Sequence, residues 1–511
     1  MPMLKVRTTK TASGNTAVQV VTRSHQRTKI VKHIGSATDE KEQKELIDLA
    51  NQYILTHDPA QPLFPEILGK DIQNQHVVAI ENLQFTKTYH TFAYEFFSGF
   101  YTMTGFDELQ NTLLKDLAIM RLIEPESKLR STQLIKAYFG YSYPINLVYE
   151  GLGEIRLLKE EAEKIAISYA KKQLGFDFSL VFYDVTTLYF ETFKEDPEDF
   201  KKPGFSKDNK PQQPQIVIGL VVNQDGYPIA VEMFSGNTFE GHTMLPVIRK
   251  LQEQHSIKTL TIVADAGMLS ISIIEEIQKA GLTYIVGARL GNISTEQLKT
   301  ISQQLDKREG IYYRGSQPHG ILICDYSQKR ANKDKNDRKK QLAKARYQVA
   351  NPEKTKRRTR FVIEESKAHI KLNQELIEKD ELREGIKGYY TNLEYTESEL
   401  IIARYKDLWH VEKSFRIAKS DLMARQIFHH KKQSIETHML IVFVSLCLAK
   451  SIELTTGYSI RKVKDIIWNI LDVEIVDSLT NKKFLKRMQV SIPNELNVEK
   501  YLKNFNHVLK K

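Results

Sequence analysis

Polar and apolar residues alternate through residues 3–35, and a period of two predicts short strands. Ser13-Gly-Asn-Thr16 reads as a turn, and Ala17–Thr22 and Thr28–Ile34 read as strands either side of a basic polar turn. The period then lengthens: Leu46, Leu49 and Ile54 predict a helix over about residues 39–56, after which Pro59, Pro62 and Pro65 break the chain. Residues 105–175 predict short helices at Phe106–Arg121, Ser131–Phe139, after Pro144, and at Lys159–Leu174. Leu180–Glu191 is crowded with β-branched and aromatic residues and holds no Gly or Pro, which predicts a buried strand. Gln215–Val222 and Tyr227–Phe234 flank Asn223-Gln-Asp-Gly226, a hairpin signal. A helix over Met244–His255, a strand ending at Asp265, a helix over Ser270–Ala280 and a strand over Leu282–Ala288 follow. Tyr405–Lys419 has helical spacing, with Thr396 and Glu399 as a capping box upstream. Gln433–Glu453 predicts a long apolar helix, and residues 460–511 predict helical, basic structure.

Composition narrows the picture. A chain of 511 residues with 41% hydrophobic content can hold several domains with real cores. A net charge of +11 favours a polyanionic partner, nucleic acid first. The charge is concentrated: Lys329–Arg360 holds 14 Lys and Arg against Asp334, Asp337 and Glu353, a surplus equal to that of the whole chain. Such a run is either a solvated linker or a surface that tracks phosphates without reading sequence, and Lys354, Lys356, Arg357 and Arg358 are its densest part. Arg121, Lys128, Arg130 and Lys136 fit a helix-turn-helix-like binder or a plain helical buttress equally well. Cys324 and Cys447 form no metal or disulfide framework, which fits a reducing, cytoplasmic compartment. The N-terminus lacks an apolar signal core, and the apolar run Met439–Ala449 is too short to span a bilayer, so no membrane partner is expected. No Walker-type loop is present, so no nucleoside triphosphate is expected either.

Three acids carry the candidate chemistry. Asp184 sits mid-strand, where a carboxylate costs several kcal/mol unless something compensates it. A divalent cation would do so, as would a neighbouring turn. Asp265 ends a second apolar strand, where ligands gather in open α/β sheets. Tyr405, Leu408, Glu412, Arg416 and Lys419 follow steps that put them on one helix face, with Trp409 at its border. Asp407 and Glu399 are the alternative third acids.

Asp184, Asp265 and Glu412, in that order, resemble the Asp-Asp-Glu triad of RNase H-like transposases. The pattern Y-x2-L-W-x2-E-x6-K over Tyr405–Lys419 is similar to the Tyr-Arg-Glu-Lys signature of insertion-sequence-four type transposases, with Leu408 standing where that signature has Arg. Ala264-Asp-Ala-Gly-Met268 and Glu412-x-x-Phe-Arg-x-x-Lys-Ser420 also look like this group. The resemblance covers roughly residues 100–450 and implies an α/β fold: an RNase H-like core with an insertion between the second Asp and the Glu. The order of strands and helices from Leu180 to Ala288 agrees, and the 147 residues from Asp265 to Glu412 leave room for the insertion.

The residue pattern and the resemblance together imply boundaries and roles. Residues 1–90 would be a small β-rich module with a helix, 91–177 a helical DNA-binding domain, and 178–291 the first part of the core. Residues 292–393 would be the insertion, mostly β, then 394–455 the second part of the core and 456–511 a helical C-terminal region. Asp184, Asp265 and Glu412 would hold two Mg²⁺ ions, with Mn²⁺ as a substitute. Tyr405, Trp409, Arg416 and Lys419 would hold the DNA end, with core packing the other reading of Tyr405 and Trp409. The partner would be double-stranded DNA, bound by a homodimer in a synaptic complex, in a prokaryote-like cell. The implied activity is cut-and-paste transposition at terminal inverted repeats. The alternative is a transposase descendant that binds DNA but no longer cuts.

Overall fold

The computed structural model describes residues 4–24, 27–57, 80–191, 201–205, 212–255, 257, 260–268, 270–318, 320–352, 359–366, 369–425, 427 and 431–488. They fall into two compact units, Met1–His90 with Ile470–Val490, and Thr91–Asn469 with Ser491–Lys511.

In the first unit β1 (Leu4–Lys10), β2 (Thr16–Ser24) and β3 (Arg27–Ala37) form an antiparallel meander covered by α1 (Glu40–His57). Leu46, Ile47 and Ala50 of α1 close over Val18 and Val20. Gly35 permits the close approach, since a Cβ there would lie 2.7 Å from the Leu46 side chain. β4 (Leu83–Tyr89) belongs to a second, smaller sheet completed from far along the chain.

The second unit begins with α2 (Thr91–Met103), α3 (Thr112–Ile123), α4 (Lys128–Phe139), α5 (Ile145–Ile155) and α6 (Lys159–Leu174). Asn111 and Ser127 cap α3 and α4 by accepting from backbone N–H groups. Two of the four cations offered for DNA contact here are unavailable. Arg121 and Lys128 are buried. Arg121 donates to the Leu422 carbonyl at 3.2 Å, and Lys128 Nζ lies 2.8 Å from His438 Nδ1. Arg121 thus ties α3 to the segment near Leu422, and Lys128 ties α4 to His438.

β5 (Leu180–Tyr189), β6 (Gln215–Val222) and β7 (Pro228–Ser235) come next, then α7 (Met244–His255), β8 (Thr261–Ala264), α8 (Ile271–Lys279) and β9 (Thr283–Ala288). The expected insertion is not predominantly β among its described residues. It contains α9 (Thr295–Leu305), β10 (Tyr312–Gln317), β11 (Gly320–Tyr326), α10 (Gln328–Ala350), the hairpin β12 (Val362–Ser366) and β13 (His369–Leu372), α11 (Gln374–Leu382) and β14 (Ile386–Thr391). Three of its strands extend the main sheet, whose order is β10-β11-β14-β9-β8-β5-β6-β7. β5, β8 and β9 are mutually parallel, and the other neighbours are antiparallel. Much of the basic run is the helix α10: Lys, Arg, Gln and Ala are strong helix formers, and Ala331, Arg338 and Ala345 give it one buried stripe.

The stretch Tyr405–Lys419 is not one helix. α12 (Ser398–Lys406) stops, α13 (Trp409–Arg416) restarts at Leu408, and a π-turn over Ile417–Asp421 follows. The expected capping box is also absent: Glu397 is the N-cap of α12 and makes no side-chain cap bond. α14 (Lys432–Thr456) is long and apolar enough to cross a membrane, and 78% of its apolar stretch is buried inside the molecule. It is the central helix of this unit, packed on α2, α3, α5 and β7.

After α15 (Ile460–Ile467), β15 (Leu471–Asp477) and β16 (Lys483–Met488) return to the first unit, where β15 lies between β16 and β4. Leu471–Asp477 and Lys483–Met488 are therefore strand where helix was expected. Leu471, Val473 and Ile475 alternate with Asp472 and Glu474, and that period of two is satisfied by pairing with β4.

Candidate active site

Asp184 lies in the middle of β5 and is half-buried, with its Oδ1 accepting from the Val185 N–H at 2.8 Å. Parallel β8 pairs with β5 in the register Leu180↔Thr261, Val181↔Ile262, Phe182↔Val263. Carried forward along both strands, that register sets Asp184 beside Asp265, which is exposed just past the end of β8. Side chains on a strand alternate, so Asp184 shares a face with Thr186 and Leu188. Those two line a small apolar cavity with Phe415 and Ala418, which places Asp184 on the face that α13 covers. α12 packs across β8 and β9, and α13 across β5 and β6. Ser414 fastens α13 by donating to the Gly226 carbonyl at 2.7 Å. Glu412 is exposed on α13.

Tyr405 is buried, which does not suit a stacking platform for a base. Its hydroxyl donates to Asp265 Oδ1 at 3.0 Å, and its ring meets Tyr389 edge-on at 4.8 Å. Burial pushes the Tyr405 hydroxyl pKa up, and Asp265 and Glu412 add to this, so it remains a proton donor. Gly287 of β9 makes the contact feasible, since a Cβ there would lie 2.6 Å from the Tyr405 hydroxyl. Arg289 holds the turn after Asp265 by donating to the Ala266 and Gly267 carbonyls, each at 3.1 Å.

Lys387 of β14 was not foreseen from the sequence. Its Nζ lies 4.5 Å from the Tyr405 ring centre. Burial lowers its pKa and the Arg330 guanidinium lowers it further, while Asp265, Asp325 and Glu412 pull it up. One ammonium therefore feels both Asp265 and Glu412. No local pattern marked it: Gly287, a glycine inside a strand, signals the close approach of Tyr405 and not of Lys387.

The remaining expected residues are spread out. Trp409 is half-exposed, stacked on His410 at 4.0 Å, with Lys413 Nζ 5.7 Å from its ring. Arg416 is exposed. Lys419 is half-buried and lines a cavity with Tyr189 and Glu191. Leu408 is buried and supplies no charge. Lys354, Lys356, Arg357 and Arg358 lie outside the described residues. Among the described residues, no three His, Cys, Asp or Glu side chains are gathered closely enough to hold a metal ion.

Residues 175–448 match the transposase DDE domain family, and this is more than half of the chain, which therefore belongs to that family. No curated protein matches the chain. Among solved structures, a piggyBac transposase synaptic complex with hairpin DNA is similar at 11% identity over 74% of this chain and 70% of that one, with a TM-score of 0.34. A Mos1 transposase paired-end complex with the left transposon end is similar at 16% identity over 26% of this chain and 41% of that one, with a TM-score of 0.15. Neither likeness bears on the chemistry of the site.

Proposed function

We propose that this DDE-family chain is a cut-and-paste transposase of an insertion sequence, cutting DNA at terminal inverted repeats and joining the released ends to a target. The observation that supports the reading is the parallel register of β5 and β8, which runs on toward Asp184 and Asp265, with α13, the helix that bears Glu412, packed across β5. The strand order β7-β6-β5-β8-β9, with β5, β8 and β9 parallel and β6 reversed, supports an RNase H-like core. On this reading β10, β11 and β14 are an insertion grown onto the core's edge. The helix pattern through Glu412 and Lys419 supports membership of the insertion-sequence-four type, with Leu408 as the departure.

The donor set fits Mg²⁺ or Mn²⁺ in its chemistry, being carboxylate oxygens only. Asp184, Asp265 and Glu412 would hold the two ions, with their oxygens drawn closer together than they stand. Bound there, the ions would activate water or a 3′-hydroxyl and stabilise the leaving oxygen. Tyr405 fixes one oxygen of Asp265 and so orients its other oxygen into the site. Trp409, Arg416 and Lys419 offer an aromatic surface and two cations to a DNA end, taken from duplex DNA by a homodimer.

The spread of the three acids favours one second reading: a descendant that binds DNA without cutting. Incubation with duplex terminal repeats in Mg²⁺ or Mn²⁺ separates the two. Metal-dependent nicks at the repeat ends are expected, and binding without nicks in either metal would leave only the second reading.

Lys419→Ala should slow single-turnover cleavage, whereas Lys406→Ala should do little. Lys406 is 66% exposed and meets Asp325 only at 3.8 Å, a surface pair of about 0–1 kcal/mol. Both substitutions remove one positive charge from the same region of chain. Equal defects would mean that net charge, and not the position of Lys419, matters.

A further inference from the structure

A cleft of about 570 Å³ opens from Asp265 and Tyr405 and runs along α10. Arg330, Asp334, Asp337, Arg338 and Gln341 line it at helical spacing, so one face of α10 forms a wall. Arg360, Arg383 and Lys387 also line it. Its cations outnumber its acids, and Asp380 alone serves both Arg360, at 2.6 Å, and Arg383.

Arg338 is the telling residue. Its side chain is only 8% exposed; Glu384 holds one side of its guanidinium, and Glu381 lies 3.7 Å from its Nε. Its Nη1 is buried with no hydrogen-bond partner. A guanidinium has five donors and a fixed planar fork, and a buried one is costly to leave partly unmatched. A phosphodiester oxygen is the acceptor that such a fork suits best. Basic side chains continue from Arg338 through Arg330 to Lys387, at the Asp265 end of the same cleft.

The geometry points to a phosphate-backbone site: the cleft takes the strand that leads away from the scissile bond, with Arg338 and Arg330 on separate phosphates of it. This rests on the proposed function, since it extends the same DNA past Asp265. The shared chemistry is a phosphate ester, whose source is a DNA backbone or a free nucleotide.

The test is binding of the full-length protein to a fluorescent random-sequence duplex over a range of salt. Arg330→Gln should weaken binding and lower the slope of log K against log salt by about 1, the loss of one phosphate contact. Lys339→Gln removes the same charge from an exposed position of α10 outside the cleft and should change affinity less. Arg338→Gln should weaken binding at least as much as Arg330→Gln. Because it also breaks the Glu384 contact, Gln341→Glu serves as the second variant: it adds a carboxylate to the cleft wall and removes no ion pair. Equal effects of Arg330→Gln and Lys339→Gln, or wild-type binding by Gln341→Glu, would overturn the assignment. So would saturable ATP binding, abolished by Arg338→Gln, with duplex affinity unchanged. Cleavage lost in Asp184→Asn alongside normal binding by the cleft variants sinks this inference alone. Cleft-dependent binding by a wild-type protein that never cuts sinks the proposed function alone.

Discussion

Asp184→Asn, Asp265→Asn and Glu412→Gln should each abolish strand cleavage and leave duplex binding close to wild type. Each exchange keeps the size of the side chain and removes its charge. A carboxamide is a poor ligand for Mg²⁺ in a site of two ions, where both the attacking and leaving oxygens depend on the metal. The loss should exceed the about 10- to 100-fold that removal of a ligand's supporting partner costs. Binding should survive, because phosphate contacts come from cations elsewhere. Single-turnover cleavage and equilibrium binding, measured on the same preparations, check both halves. Any one of the three that still cuts at a substantial fraction of the wild-type rate leaves the set of ligands. If that one is Glu412, Asp407 and Glu399 are the next acids to test, being the others on the α12–α13 segment.

Gly287→Ala should slow cleavage by about 100-fold, the scale at which a displacement of about 1 Å in a catalytic group is felt. The new Cβ would stand 2.6 Å from the Tyr405 hydroxyl and 3.1 Å from the Ala266 backbone nitrogen, so Tyr405 must move and Asp265 loses its donor. Tyr405→Phe removes the same hydrogen bond without the clash, and should cost about 10- to 100-fold as a supporting partner. The double variant is the informative one. With the hydroxyl gone, most of the collision is relieved, so it should be no slower than Tyr405→Phe alone. A double variant slowed by the product of the two single effects would mean that the sites act independently and that Gly287 does not serve Tyr405. Thermal melts of all three keep loss of folding apart from loss of alignment.

Much of the catalytic half could be read from local pattern. The run Leu180–Glu191 is strand because its residues suit little else, and Asp184 stands out there because an acid is out of place in it. Asp265 was visible for the same reason at the end of a shorter run. The segment Tyr405–Lys419 was found as helical, but its interruption at Leu408 was not. The break follows from packing: α12 lies on β8 and β9 while α13 lies on β5 and β6, and a straight helix cannot seat on both pairs of a twisted sheet. Of the two readings of Tyr405, a DNA contact and core packing, the fold agrees with the second. On one continuous helix it would face the DNA with Glu412. In the fold it is buried, and its phenol donates to Asp265.

The sequence by itself determined which segments are strand or helix across most of the core, and which acids those segments display. It did so because propensity, period and an ill-placed charge are properties of neighbours in the chain. Only the tertiary structure decided that β5 pairs in parallel with β8, which brings together Asp184 and Asp265, 81 residues apart in the chain. It also decided that Leu471–Asp477 is strand beside β4, that the basic run up to Ala350 lies in α10 along a cleft, and that Lys387 lies over the Tyr405 ring. Each of these depends on groups far apart in sequence, and no local pattern encodes the partner that a strand, a buried cation or a phenol will find.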